Sequence, residues 1–261
     1  MFKRLVCLLL TVLMLAVCAC PAALASSSDY DSNHPEKLND TDLSASAAIL
    51  IEVNSGMVVY EKNADVRMYP ASTTKILTTY LALLMGNLDD VVTTSATALQ
   101  LEEKASVIPL SEGEQLPLEN LLYATMVKSG NDGANVIAET ISGSIYAFAE
   151  TMNQYAASIG CTNTHFVNPH GLPAKGQYTT ARDMLTLARA YLHAYPDVLR
   201  FHNTHVLNYR GRVTWNKNPL LGQYPGADGL KTGWINASGY NLVFTALKGD
   251  KRLLAVIMGA P

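Results

Sequence analysis

The chain has 261 residues, a formal net charge of −3 and no run of basic side chains, which argues against a nucleic-acid partner. Hydrophobic residues make up 49% of the sequence and charged residues 16%, so a chain of this length can bury a core of its own.

The first residues have the features of an export signal. A positively charged start precedes the apolar stretch 5–19, and Ala23-Leu24-Ala25 fits a small-x-small cleavage site. The stretch is shorter than the roughly 20 residues that a membrane-spanning helix needs. We therefore expect a signal peptide at residues 1–25 and export to an extracytoplasmic location in the cell envelope. Lipid attachment at Cys18 and an uncleaved anchor stay open as alternatives.

Cleavage after residue 25 would leave one of the four cysteines, Cys161, so the mature chain would have no internal disulfide. Residues 26–45 are rich in Ser, Asp and Asn, lack apolar periodicity, and are predicted to form a flexible leader. We expect residues 46–261 to form one compact domain with two lobes and a cleft between them.

Within this domain, apolar periodicity and turn residues predict strands at both ends and helices in the middle. The first two strands are predicted at 47–53 and 57–60. Five helices are predicted at 72–85, 117–128, 131–141, 145–159 and 181–195, and three final strands at 228–232, 240–247 and 252–258. Because both chain ends supply strands, the layout predicts an α+β fold, with one antiparallel sheet and an inserted helical lobe.

Three motifs occur once each, in this order: Ser72-Thr73-Thr74-Lys75, Ser129-Gly130-Asn131 and Lys231-Thr232-Gly233. Together they supply a nucleophile, a base, a proton relay and a carboxylate anchor, which serine acyl-transfer enzymes that react with penicillin need in that order. An S-x-x-K alone carries little information, because chance produces it in a chain of this length. The ordered set predicts serine acyl transfer.

Ser72 lies at the start of a predicted helix, and Lys75 follows one turn later on the same face. Taken alone, Ser72 is better interpreted as a helix N-cap. As a nucleophile, it would gain from the N–H groups and the dipole of the first turn. Lys75 must be neutral to accept the proton, so its pKa must lie well below the usual value of about 10.4. Burial and a nearby cation such as Lys231 would both lower it.

Ser129, Gly130 and Asn131 fall in the break between two predicted helices. In the catalytic interpretation, Ser129 relays a proton to the leaving nitrogen, and Asn131 orients Lys75 and holds a substrate amide. The alternative is a plain loop in which Asn131 caps the next helix, just as Lys231 alone fits an ordinary surface lysine. The chain has no G-x-S-x-G or H-E-x-x-H motif, and its histidines make no convincing metal set.

These motifs and their flanks resemble the low-molecular-mass penicillin-binding proteins that are D-alanyl-D-alanine carboxypeptidases, serine peptidase family S11. The resemblance runs from about Ala47 to the end and includes Thr164-His-Phe-Val-Asn-Pro-His-Gly171 and Gly239-Tyr-Asn-Leu242. It implies a β-lactamase/transpeptidase-like fold. The implied substrate is a peptidoglycan stem peptide that ends in D-Ala-D-Ala, with β-lactams as inhibitors and no metal or organic cofactor.

The resemblance also implies residue roles. Ser72 would attack the carbonyl between the two D-alanines with Lys75 as base, and the N–H groups of Ser72 and Trp234 would hold the oxyanion. Trp234 is bulkier than the resemblance leads us to expect at its position.

Lys231 and Thr232, in the run that ends at Gly233, would bind the terminal carboxylate. Arg182 would assist them, with a surface helix arginine as its alternative.

The family usually continues beyond this point with a helix, often a β-rich domain and a membrane-binding amphipathic tail. We therefore expect residues 46–261 to be a fragment or minimal form, with apolar surface exposed on the sheet. Peripheral membrane association is compatible with the resemblance, but its usual anchor is absent from this sequence.

Two other functions stay open. A class A β-lactamase adds a glutamate that activates water, but only Glu139 and Glu150 lie between Asn131 and Lys231, both in predicted helices. The second is a non-catalytic sensor of β-lactams or cell-wall peptides. The sequence also does not separate a carboxypeptidase from an endopeptidase that uses the same residues.

Overall fold

The computed structural model describes residues 43–261, so the expected signal peptide and most of the expected leader lie outside the described residues. The strands are β1 (Ala47–Glu52), β2 (Val58–Lys62), β3 (Val91–Thr93), β4 (Gln115–Pro117), β5 (Val206–Tyr209), β6 (Arg212–Trp215), β7 (Ala227–Ile235), β8 (Gly239–Lys248) and β9 (Lys251–Ala260). The helices are α1 (Lys75–Met85), α2 (Leu118–Lys128), α3 (Asn131–Ser142), α4 (Ile145–Ser158), α5 (Ala181–Ala194) and α6 (Leu199–Asn203), with 3₁₀ turns at Ala71–Thr74 and Pro196–Val198. None of the helices within residues 43–261 combines the length and the apolar character needed to cross a bilayer.

Both ends of the described chain contribute to one antiparallel sheet, with the strand order β2-β1-β9-β8-β7. β1 pairs with β9 along its whole length, from Ala47 opposite Met258 to Glu52 opposite Leu253. The α+β prediction is therefore confirmed. The pairs β3–β4 and β5–β6, which form two small separate ribbons, were not predicted.

Side chains alternate between the two faces of the sheet, as the period of a strand requires. Ile49 and Val256 face the main core, which the helices complete. Leu50 and Phe244 belong to a second cluster, which includes Leu220. Since the sheet residues of this second cluster are buried, the expected exposure of apolar surface on the sheet is wrong for them.

Helix α1 runs through the interior and contacts α3, α4 and α5. Its residues are buried on every side from Lys75 to Ala82. A helix surrounded in this way is held by packing all round rather than by one apolar stripe. The position of the residues at its start is therefore fixed by the core.

Asn241, on β8, ties the sheet to the segment that leads into Ser72. Its Nδ2 donates to the carbonyls of Tyr69 at 2.9 Å and Pro70 at 3.1 Å, and its Oδ1 accepts from the N–H of Gly259 at 3.0 Å. The side chain is 1% exposed, so water cannot replace these bonds. One amide therefore joins β8, β9 and the segment that leads to Ser72.

We predict that Asn241→Ala lowers the free energy of unfolding by about 1–3 kcal/mol, because it leaves buried backbone groups unpaired. Urea unfolding would measure the loss. The matched control is Asn208→Ala, at an exposed position of β5, which should change stability little. Equal unfolding midpoints for the two variants would contradict the structural role of Asn241.

Candidate active site

A cleft of about 760 Å³ opens where the start of α1, the α2–α3 junction and the edge strand β7 meet. Its wall contains most of the residues that the sequence singled out: Ser72, Ser129, Asn131, Thr232, Gly233 and Trp234. Three motifs that are far apart in the sequence are thus brought to one cavity.

Lys75 is completely buried beside this cleft. Its Nζ lies 2.6 Å from Asn131 Oδ1, 2.9 Å from the carbonyl oxygen of His170 and 3.1 Å from Ser72 Oγ. A neutral amine has two N–H donors and one lone pair. The first two oxygens can only accept, so a neutral Lys75 donates to both of them and directs its lone pair at the Ser72 hydroxyl.

The surroundings favour that neutral form. Burial is the main cause that lowers the pKa of Lys75 well below its usual value, and the positive charges of Lys231 and Lys217 add to it. The carboxylate of Asp132 acts in the opposite direction. Within residues 43–261, no carboxylate forms an ion pair with Lys75.

Lys231 lies on the buried face of β7, and its Nζ donates to the carbonyl oxygen of Thr232 at 2.9 Å. Burial, and then the charge of Lys217, lower its pKa to about 7. Since side chains alternate along a strand, Thr232 and Trp234 instead face the cleft. Lys231 shares its face of β7 with Gly233, which lies against Ser72, so its charge acts from a buried position on the Ser72 side of the strand.

Two glycines allow backbone segments to meet at Ser72. A Cβ on Gly233 would lie 2.8 Å from the backbone nitrogen of Ser72, closer than real Cβ atoms come. A Cβ on Gly171 would lie 1.8 Å from the carbonyl oxygen of Ala71, and Gly171 has a φ of +88° that favours glycine. Any side chain at either position would push β7 or the 168–171 loop away from the 71–72 backbone.

Ser129 ends α2 in the left-handed conformation, with a φ of 63°, and Gly130 then begins α3 as its N-cap. A non-glycine residue in this region is uncommon and is often found at functional sites. The N–H of Asn131 donates to the carbonyl of Ser106 at 2.8 Å. The turn thereby places Ser129 and Asn131 side by side in the cleft wall.

Sequence reasoning missed Lys217, which lies on the cleft wall with its Nζ 3.2 Å from Ser106 Oγ. Burial and the charge of Lys128 lower its pKa. In the described part of the chain, no carboxylate pairs with it. A single lysine in a loop, outside any motif, gives no signal that could have found it.

Arg182 is not in the cleft, so its assignment to the substrate site is corrected. Its guanidinium pairs with Asp65 at 2.8 Å and Glu61 at 3.0 Å, and it borders a separate groove beside β1 and β2. The two carboxylates hold it at the protein surface. The alternative, a surface helix arginine, describes it correctly.

Neither glutamate considered for a β-lactamase lies on the cleft wall among the described residues. Glu139 accepts a hydrogen bond from Ser95, and Glu150 interacts with Tyr146. Within residues 43–261, no group of His, Cys, Asp or Glu side chains could hold a metal ion.

A family model described as D-alanyl-D-alanine carboxypeptidase matches residues 32–261. The chain is 37% identical to D-alanyl-D-alanine carboxypeptidase DacA of Escherichia coli (strain K12), over 83% of this chain and 56% of the relative. It is also 37% identical to DacF of Bacillus subtilis (strain 168), over 99% of this chain and 66% of the relative. The chain thus spans between half and two thirds of the length of these two relatives.

Among solved structures, the D-alanyl-D-alanine carboxypeptidase DacD from Francisella tularensis aligns with a TM-score of 0.80 at 30% identity. The alignment covers 90% of this chain and 69% of that chain. With the family match and the geometry of the cleft, this likeness shows that the chain belongs to the D-alanyl-D-alanine carboxypeptidase family of serine peptidases, S11.

Proposed function

We propose that the protein is a serine-type carboxypeptidase that removes the terminal D-alanine from peptidoglycan stem peptides ending in D-Ala-D-Ala. The observation that carries the proposal is the buried Lys75 amine, which lies 3.1 Å from the Ser72 hydroxyl and has acceptors for two N–H bonds. That arrangement suits a general base next to a nucleophile. The family membership supplies the substrate class.

In the first step, Ser72 Oγ attacks the carbonyl carbon of the bond between the two D-alanines while Lys75 Nζ takes the hydroxyl proton. The peptide C–N bond then breaks. Ser129, on the cleft wall beside Asn131, relays a proton to the leaving nitrogen, and D-alanine departs. Water then hydrolyses the Ser72 ester and regenerates the free serine.

The backbone N–H groups of Ser72 and Trp234 are proposed to hold the oxyanion that forms in this step. The tight approach of Gly233 to the Ser72 nitrogen supports the proposal, because it brings β7 against the first turn of the nucleophile segment. Donors fixed by packing need no reorganisation as charge develops.

The terminal carboxylate is proposed to bind at Thr232, whose side chain faces the cleft, with the buried Lys231 supplying positive charge from the neighbouring position of β7. A bound carboxylate would favour the protonated form of Lys231 and so raise its pKa from about 7. Gly233 completes this stretch by letting the strand approach Ser72.

β-Lactams are proposed to acylate Ser72 in the same cleft and so to inhibit the enzyme. Export by the segment 1–25 would place the protein in the cell envelope, where its substrate lies. The β-lactamase alternative lacks a specific observation in its favour, since Glu139 and Glu150 are engaged elsewhere.

We predict that Ser72→Ala abolishes both D-alanine release from diacetyl-Lys-D-Ala-D-Ala and the covalent adduct with penicillin, because the nucleophile is removed. An amino-acid assay and mass spectrometry would measure the two outcomes. The control Ser158→Ala changes an exposed serine of α4 and should retain both. An adduct on another residue would refute the assignment of the nucleophile.

Lys75→Met should lower the rate of penicillin acylation by about 10²–10⁴-fold, since the general base is lost while the buried volume is largely kept. Stopped-flow measurement with a fluorescent penicillin would give the rate. A thermal unfolding curve would establish that the variant is folded, which we expect because burying methionine costs less than burying an amine. Acylation at the wild-type rate would remove Lys75 from the base role.

The pH profile should respond to Lys217→Gln. Its positive charge lowers the pKa of Lys75, so its removal should raise that pKa. Because acylation needs neutral Lys75, the acidic limb of the second-order acylation rate should then move to higher pH. The matched control is Lys104→Gln, at an exposed lysine of the same cleft, where solvent screens the charge. An unshifted limb in Lys217→Gln, or an equal shift in the control, would contradict the prediction.

A further inference from the structure

A hydrogen-bonded pair of a tyrosine and a histidine lies in the core beside β7. The hydroxyl of Tyr191, on α5, is 3.0 Å from Nε2 of His202, on α6, and His202 Nδ1 is 3.0 Å from the carbonyl oxygen of Leu230, on β7. Tyr191 is 0% exposed and His202 is 1% exposed. Polar groups are costly to bury unless they are hydrogen-bonded, and two apolar side chains could fill the same space without that cost. The pair is therefore a candidate for a role beyond packing.

The hydrogen bonds determine where the protons of this pair lie. The Leu230 carbonyl can only accept, so His202 Nδ1 carries a proton and donates a hydrogen bond. Burial lowers the pKa of His202 to about 4, so the ring is neutral at neutral pH and Nε2 has a free lone pair. Burial also raises the pKa of Tyr191, so its hydroxyl stays protonated and donates to Nε2. The bonds thus run in one direction, from Tyr191 through His202 to β7.

This chain of hydrogen bonds ends next to the proposed carboxylate anchor. Leu230 precedes Lys231 and Thr232, and its carbonyl belongs to the peptide group that joins it to Lys231. β7 is the last strand of the sheet, so β8 is its only strand partner within residues 43–261. The position of β7 otherwise depends on groups from outside the sheet, and the His202 ring is one of them.

The main chain of His202 also contacts the loop that carries Lys217. The carbonyl oxygen of His202 accepts from Asn216 Nδ2 at 2.9 Å, and Asn216 directly precedes Lys217 on the cleft wall. On the other side of Lys217, Asn218 Nδ2 donates to the carbonyl of Gly229, on β7, at 3.3 Å. Helix α6 therefore connects the strand of the proposed anchor with a loop that forms part of the cleft wall.

We propose that Tyr191 and His202 are positioning residues for the carboxylate anchor, which their hydrogen bonds fix through the Leu230 carbonyl. This inference rests on the proposed function, in which Lys231 and Thr232 bind the terminal carboxylate. Neither Tyr191 nor His202 lines the cleft, so both act through β7 rather than on the substrate. Because a displacement of about 1 Å can remove much of the effect of a binding group, loss of the bond to Leu230 reduces the preference for peptides that end in a carboxylate.

The test compares diacetyl-Lys-D-Ala-D-Ala with the same peptide carrying a terminal amide in place of the carboxylate. Both give the product diacetyl-Lys-D-Ala, which mass spectrometry measures, and the ratio of their kcat/KM values reports the use of the anchor. In His202→Gln this ratio should fall about tenfold, because the glutamine amide lies near the position of Nε2 and does not reach the Leu230 carbonyl. Damage elsewhere in the fold would slow both peptides and leave the ratio unchanged.

Three further variants make the test specific. His202→Asn keeps a donor near the position of Nδ1, since its amide nitrogen is also attached to Cγ, so it should retain most of the wild-type ratio. Tyr191→Phe removes only the hydroxyl that fixes the proton on Nδ1 and should lower the ratio about threefold. Its control is Tyr195→Phe, which removes a hydroxyl that donates to the Leu83 carbonyl, away from β7, and should keep the ratio.

An unchanged ratio in His202→Gln or in Tyr191→Phe, equal losses in His202→Gln and His202→Asn, or a wild-type ratio near one would each overturn the proposal. If a thermal unfolding curve shows that His202→Gln is not folded, the comparison of Tyr191→Phe with Tyr195→Phe decides. A failure of the proposed function is distinguishable, because the wild type would then release no D-alanine and form no penicillin adduct on Ser72.

If the amide peptide reacts too slowly, both peptides can be compared as inhibitors of Ser72 acylation by a fluorescent penicillin. The ratio of their inhibition constants then replaces the ratio of their kcat/KM values. The wild type should bind the carboxylate peptide more tightly than the amide, and His202→Gln should reduce this difference about tenfold. An equal difference in the wild type and His202→Gln would overturn the proposal.

Discussion

The proposed chemistry depends on one buried amine, Lys75, whose pKa is held well below its usual value. The partners of Lys75 other than Ser72 are an amide oxygen and a backbone carbonyl, which accept hydrogen bonds without favouring an ammonium as a carboxylate would. The carboxylate of Asp132, the residue after Asn131, would favour a protonated Lys75 if the two side chains formed an ion pair. Its carboxylate instead accepts hydrogen bonds from the N–H groups of Ile108 and Leu110. The side chain of Asn131 therefore contacts Lys75, and that of Asp132 contacts the backbone of the 105–110 segment.

The hydrogen bonds of Asp132 also link the surroundings of Lys75 to the shape of the cleft. Asp132 fixes the 105–110 segment, which includes Ser106, and the carbonyl of Ser106 holds the N–H of Asn131. The loop that forms one wall and the residue that orients Lys75 are therefore positioned together. On the opposite side, Gly171 and Gly233 let two backbones come within contact distance of the segment that contains Ser72. The position of Ser72 in the cleft is therefore fixed by backbone packing as well as by the side chains around it.

The sequence predicted the elements that are long enough to show a period. Helices α2 to α5 and the five strands of the sheet lie within a few residues of the predicted positions. Strands β3 and β4 and helix α6 have too few residues for a period to appear. The predicted α-helix at Ser72 begins instead with the 3₁₀ turn Ala71–Thr74, and α1 follows it from Lys75.

For the site, helical spacing and motif order predicted that Ser72, Lys75 and Asn131 would share one cavity. The contact between Lys75 and the His170 carbonyl could not be derived in that way, because a backbone oxygen has no residue type to recognise. The error at Arg182 has a different origin. The sequence alone does not show which arginine and lysine side chains form ion pairs at the surface. In the folded chain, tertiary packing brings Asp65 next to Arg182.

The causes that lower the pKa of Lys75 would respond differently to the binding of the proposed substrate. The charges of Lys231 and Lys217 lower the pKa of Lys75, but the carboxylate of the proposed substrate would offset them and so favour the protonated amine. Burial does not depend on the charge of the ligand, and a peptide that fills the cleft excludes still more water. Burial is also the largest of the causes. In the proposed complex, a lowered pKa of Lys75 would therefore depend on the packing of α1 in the core, and the lysine charges would matter most before the substrate binds.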